Sequence, residues 1–188
     1  MVVTRNDEIY GKLKLLRSHG MSAPSFDRFK GRAVSYDVET PGLNYRLTEV
    51  NSAIALVQLA KLPESNEKRR LLVEHYYKRL DEAAGGKGAL ISVPYRHFRR
   101  GKPNYHIMPV LLSDTADRLK IIESMKQDGI QTSIHYPAIR GFSAYKDIVN
   151  PVPKADYVSA HELTLPLYPG MTVDDADLVC DALIKSLN

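Results

Sequence analysis

Apolar side chains recur at three- and four-residue intervals along the middle of the chain: Val50, Ala53, Ile54, Leu56, Val57, Leu59, Ala60 and Leu62. That spacing puts them on one stripe of a helix. Thr48 stands where an N-cap belongs, with Glu49 in the first turn. Pro63 interrupts the stripe, and a proline inside a helical pattern ends or kinks the helix. From Glu64 to Leu80 the pattern resumes, with Lys68, Arg69 and Arg70 on a wet face and Leu71, Leu72, Tyr76 and Leu80 on a dry one. Two helical segments in near continuity are therefore expected, ending before Gly85-Gly86.

The flanking chain reads in the same way. Met1 to Thr4 is a short apolar run, like the end of a buried strand with nothing before it to pair with. Asp7 to Ser18 is a helix capped by Asn6, with Ile9, Leu13 and Leu16 on one side, and Gly20 suits the left-handed position after it. Ser22 to Pro41 has no period, and about 20 residues without structure inside a compact domain are uncommon. Ala89 to Val93 is a short strand. Tyr105 to Leu112 is a strand whose Pro109 suggests an edge or a bulge. Asp114 to Gln127 is a helix capped by Asp114 or Thr115, with Leu119, Ile122 and Met125 inward. Ile130 to Tyr136 alternates, with Ile130, Thr132 and Ile134 on one face and Gln131, Ser133 and His135 on the other, as a half-buried strand does. A short helix over 141–149, a helix from Lys154 to Glu162, an extended piece from Leu163 to Leu167 and a closing helix from Val173 to Leu187 complete the chain. The sum is an α/β (α+β) layer in which helices cover one face of a small, largely antiparallel sheet.

Composition changes this picture little. The 188 residues suffice for a domain with a proper core, and 44% hydrophobic with 26% charged residues is ordinary for a globular protein. A net charge of +4 with Lys and Arg scattered among 22 acids gives no nucleic-acid footprint, and the densest basic patch, Arg96 to Lys102, reads as a solvated loop. Cys180 is the single cysteine, so no internal disulfide and no Cys-based zinc site exists, and its apolar helical setting points to a buried structural thiol. No membrane-length apolar run or signal peptide occurs, which favours the cytoplasm. No phosphate-binding glycine loop or nucleophile elbow occurs either. His19, His106 and His135 have no ligand spacing, so no metal site is expected.

Several stretches together carry a resemblance: Asn44-Tyr45-Arg46-Leu47-Thr48-Glu49, Ala53 to Leu59, Lys68-Arg69-Arg70, Leu16 to Met21, Gly129 to Pro137, and Leu165 to Thr172. In that order they resemble the DegT–DnrJ–StrS family of pyridoxal-phosphate (PLP)-dependent sugar aminotransferases. The resemblance implies the C-terminal small domain of a fold-type I PLP transferase. Residues 1–47 would be a remnant of the large cofactor domain with its linker, and residues 48–188 the small domain with its long leading helix. The start of the chain resembles the middle of a family member, just past the Schiff-base lysine, so the resemblance implies a C-terminal part that lacks that lysine and is inactive alone. No residue is assigned a catalytic role.

On the residues alone Asn44 turns the chain after Pro41-Gly42, and Arg46 pairs with an acid such as Glu49. The resemblance instead makes Asn44, and less directly Arg46, donors to the cofactor phosphate of a partner subunit in a homodimer, chemistry that an amide and a guanidinium supply without titrating. His135 and Tyr136 read either as polar residues of an edge strand or, by the resemblance, as substrate-binding groups at a strand-end loop. The substrates implied are a nucleotide-linked keto-sugar and an amino-acid donor such as glutamate, in polysaccharide biosynthesis, with no nucleic acid and no membrane. A sugar dehydratase relative, a non-catalytic dimerisation or ligand-binding module of the same descent, and an unrelated α/β ligand-binding domain are the alternatives.

Overall fold

The computed structural model describes residues 2–22, 37–83, 90–97, 101, 103–147 and 150–187. They form two compact units, Met1–Ala60 and Lys61–Asn188. Gly85-Gly86, most of the stretch 22–41 and most of the basic patch at 96–102 lie outside the described residues.

In the first unit, helix α1 spans Asp7–Leu16, and the Asn6 side chain accepts from the Ile9 N–H as its cap. His19 and Gly20 follow with φ of 61° and 73°, and the Gly20 N–H returns to the Leu15 carbonyl. Glycine is required at 20: a Cβ there would lie 1.7 Å from the Thr40 carbonyl oxygen. Gly42 is as tightly placed, 2.2 Å from the Gly20 nitrogen if given a Cβ. The expected strand at the start is not formed. Residues 2–4 have no strand partner among the described residues, and Val2 and Val3 are 69% and 82% exposed. Ile9 and Leu16 also stay largely in solvent, so the apolar stripe of α1 meets no core among the described residues.

Helix α2 runs Glu49–Ala83, and the Thr48 hydroxyl accepts from the Asn51 N–H at its start. Pro63 is contained within it, and the two expected segments are one helix. The proline forfeits only the bond its own N–H would make, and the flanking turns carry the rest. The apolar stripe from Val50 to Leu62 is exposed along its length. Further along, Leu72, Val73, Tyr76 and Leu80 are buried, whereas Leu71, expected on the dry face, is 53% exposed.

The second unit holds the core. Strands β1 (Ile91–Ser92), β2 (Met108–Leu112) and β3 (Glu162–Leu165) form an antiparallel sheet in the order β1-β2-β3. Helices α3 (Arg118–Gln127), α4 (Pro153–His161) and α5 (Val173–Ser186) complete it. Val110, Leu112, Ile121, Met125, Leu163 and Leu183 pack with the buried part of α2 into one cluster.

Pro109 sits on the central strand, not on an edge. Ladder geometry allows it. Thr164, its partner on β3, exchanges both main-chain bonds with Ser133 on its other side, so Pro109 and Thr164 are a non-hydrogen-bonded pair. The missing N–H of Pro109 therefore faces the β1 side, where β1 stops at Ser92 opposite Leu111 and needs no donor.

Three further expectations are corrected. Helix α3 starts at Arg118 with Asp117 as cap, because Ser113 to Ala116 is spent on a turn closed by the Ala116 N–H to the Ser113 carbonyl. Its buried face is then Ile121 and Met125, with Ile122 partly covered and Leu119 75% exposed. The stretch 130–136 is not a strand. It touches β3 at a single bridge, Ser133 to Thr164, because the chain turns at His135. In place of one short helix after Gly141 there are two 3₁₀ turns, Ile139–Gly141 and Ser143–Tyr145, and residues 148–149 lie outside the described residues.

Candidate functional site

The edge of β3 and the segment 131–135 line an open cavity of about 270 Å³. Its position follows from local sequence. Gly129, at φ 79°, ends α3 and lets the chain reverse, and the Ser133–Thr164 bridge then pins it beside β3. Tyr76 of α2, fully buried, donates its hydroxyl to the Pro166 carbonyl at 2.9 Å, which fixes the chain leaving β3 on the other wall. Burial pushes the Tyr76 hydroxyl pKa far up, so it stays a donor.

The lining is mixed and carries no Lys, Arg, Asp or Glu: His106, Gln131, Thr132, Ser133, His135 and Thr164 stand beside apolar groups such as Leu167. The Thr132 hydroxyl is buried and has no hydrogen-bond partner among the described residues. Such a group costs about 1–3 kcal/mol unless something pairs with it. A neutral, hydroxyl-bearing ligand matches this wall, and a phosphate does not.

Behind His135 stand two buried polar residues, Glu162 at 2% exposure and Thr164 at 5%. One Glu162 oxygen accepts the His135 main-chain N–H at 2.9 Å, and the other accepts the Thr164 hydroxyl. Thr164 Oγ1 also meets His135 Nδ1 at 2.9 Å. Arg118 donates to the Glu162 carbonyl at 3.1 Å and to the Ser159 carbonyl at 2.6 Å, holding the start of β3 in place.

Of the residues read from the sequence, His135 lies at the cavity, half-buried, not on a wet strand face. Tyr136 is next to it and 71% exposed, its ring edge-on to the imidazole at 4.9 Å. Asn44 and Arg46 are exposed side chains of the first unit. The backbone around Asn44 is clamped: the Leu43 N–H donates to the Leu16 carbonyl, the Tyr45 N–H to the Arg17 carbonyl, and Ser18 and Asn44 form a bridge. The Asn44 side chain is exposed and makes no hydrogen bond to a described residue. His106 is exposed and lines the cavity, outside any strand.

Sequence reading missed Glu162, Thr164 and Thr132. A signal existed for the first two: an acid and a hydroxyl inside the otherwise apolar Glu162-Leu163-Thr164-Leu165. Among the described residues no group of three or more His, Cys, Asp or Glu could hold a metal ion, and no helix is long and apolar enough to cross a membrane.

The profile of the DegT/DnrJ/EryC1/StrS aminotransferase family matches residues 1–184. Among solved structures, PseC of Helicobacter pylori, an aminotransferase involved in the biosynthesis of pseudoaminic acid, superposes with a TM-score of 0.82 at 26% identity, covering 98% of this chain and 47% of its own. DesV of S. venezuelae, solved in complex with a ketimine intermediate, gives 0.80 at 26% identity over 99% of this chain and 46% of its own. The sugar aminotransferase CalS13 of Micromonospora echinospora gives 0.79 at 25% identity over 97% and 46%. The chain thus spans a little under half the length of these relatives, and its helices and three-stranded antiparallel sheet match part of a fold-type I PLP transferase.

Proposed function

Because the chain belongs to the DegT/DnrJ/EryC1/StrS aminotransferase family, we propose that it is the C-terminal part of a PLP-dependent nucleotide-sugar aminotransferase. The whole enzyme transfers an amino group from an amino acid such as glutamate to a keto-sugar. The lysine that carries the cofactor belongs, in this reading, to the half of the relatives' length that the chain does not match, so the chain alone is inactive. Work in the cytoplasm, as a homodimer in polysaccharide biosynthesis, follows from the same reading.

PLP supplies, when bound, the electron sink on which amino transfer depends. This chain's residues fit one portion of it. Asn44 offers an exposed amide on a clamped backbone, and Arg46 a guanidinium two residues on, residue types suited to a phosphate dianion. Their assigned role is to bind that phosphate across a homodimer. His135 and Tyr136 are assigned to the sugar. The observation that carries this is the cavity against His135, lined by hydrogen-bonding side chains and by no Lys, Arg, Asp or Glu. Such a wall orients a sugar ring through its hydroxyls, and the apolar groups beside it pack against the ring's carbon face.

The experiment is to read the genomic DNA upstream of the Met1 codon. The proposal expects an in-frame segment, or an adjacent gene, encoding the cofactor lysine and the acid facing the pyridine nitrogen. Upstream DNA with neither overturns it.

A further inference from the structure

The buried pair Glu162 and Thr164 has no part in the function described so far. Glu162 is an acid with 2% exposure in an otherwise apolar strand, and both its oxygens are engaged as acceptors, one from a main-chain N–H and one from a hydroxyl. The Thr164 hydroxyl has one hydrogen, and that hydrogen goes to Glu162. At its contact with His135 Nδ1, Thr164 Oγ1 is therefore the acceptor, and the Nδ1 nitrogen must carry the proton. Nε2 is left with a bare lone pair and no partner among the described residues, on a ring that lines the cavity.

We propose that Glu162 and Thr164 are positioning residues which fix the Nδ1–H tautomer of His135, so that Nε2 accepts a hydrogen bond from a sugar hydroxyl in the cavity. The inference rests on the sugar-side reading of that cavity. Three constraints act on one side chain. Glu162 holds the His135 main chain, Thr164 holds the ring nitrogen, and Glu162 orients Thr164. An acceptor at Nε2 suits a ligand hydroxyl, which has a hydrogen to donate to it. A fixed tautomer also discriminates. A ligand presenting only an acceptor at Nε2, such as a carbonyl or a phosphate oxygen, meets lone pair against lone pair.

The test is nitrogen NMR on the 188-residue chain with 15N-labelled histidine, at about pH 8.5, above the ordinary imidazole pKa. The expected result for His135 is a protonated Nδ1 and a bare Nε2. Thr164→Val removes the acceptor and should move the ring toward the opposite tautomer, with Nε2 shifting upfield into the protonated range. Thr164→Ser keeps the hydroxyl and should restore the original spectrum, which a merely structural role for the threonine would not require. A wild-type ring protonated at Nε2, or a spectrum that Thr164→Val leaves unchanged, overturns the proposal. The wild-type spectrum decides even where the valine variant fails to fold. The sugar-side reading fails by a different route, the upstream DNA, so the two failures are distinguishable.

Discussion

Residue scale brings out how differently two polar side chains can be exposed. Asn44 stands in solvent on a backbone held from both sides, and His135 is held through its ring and its main chain. Asn44→Ala in the chain joined to its upstream half should weaken PLP retention, because one hydrogen bond to a charged group is lost. That costs about 1.5–3 kcal/mol, or roughly ten- to a hundredfold in affinity. Since the contact is assigned in trans, mixed dimers of an Asn44→Ala subunit with a subunit lacking the cofactor lysine should retain PLP normally at the lysine-bearing site. Mixed dimers no better than the pure variant would return Asn44 to a turn-forming role. Cys180 gives a second prediction. It is fully buried, and burial pushes its thiol up to about 12 from 9.0. The native state then keeps the proton that the unfolded state gives up, so this group's contribution to stability is intact below about pH 9 and lost as pH rises toward about 12. Ellman's reagent should label the thiol at pH 8 only as fast as the chain unfolds. Prompt labelling would contradict its burial. The buried state of Cys180 was legible from its apolar stripe. The Glu162–Thr164–His135 network was not, because it joins residues 27 and 29 apart that no local period connects.

At the scale of elements, the caps and helices were read correctly where a local signal and the tertiary environment agree. Asn6, Thr48 and the helix from Val173 are of this kind. Thr172 caps that last helix in a full capping box with Asp175, whose carboxylate is held below its usual range chiefly by the Thr172 N–H. Thr172→Ala should cost about 1 kcal/mol in urea unfolding of the second unit, and Thr172→Ser almost nothing. Equal losses would show that the hydroxyl is not what matters. The readings that failed are those where a neighbour distant in sequence decides. Pro109 is central because β1 is short, and the stretch 130–136 is no strand because a single bridge and side-chain contacts of His135 with Glu162 and Thr164 take the place of a ladder to β3. Leu119 and Leu71 look periodic yet face solvent, since the turn at Ser113 to Ala116 shifts the start of α3 and the buried face of α2 is set by Leu72, Val73 and Tyr76.

Across the whole molecule the apolar pattern and the burial disagree most in the first unit. The second unit buries a contiguous core, whereas the first leaves Val50, Leu56 and Leu59 at 70%, 69% and 63% exposure. That stripe was legible as helical, but its partner was not, since periodicity names a face and not what covers it. A monomer rarely leaves more than about 300–600 Å² of contiguous apolar surface in water. The chain alone should therefore self-associate and bind a hydrophobic dye, as sedimentation and fluorescence can show, and a dye-silent monomer would contradict this. The central claim is that the chain completes an enzyme whose cofactor lysine lies elsewhere. Its most direct test is the change in PLP absorbance on adding glutamate, recorded for the 188-residue chain and for the chain joined to its upstream half. The account predicts no change with the chain alone and conversion of the cofactor to its aminated form in the joined protein. Conversion by the chain alone, or none by a folded joined protein that holds PLP, would contradict it.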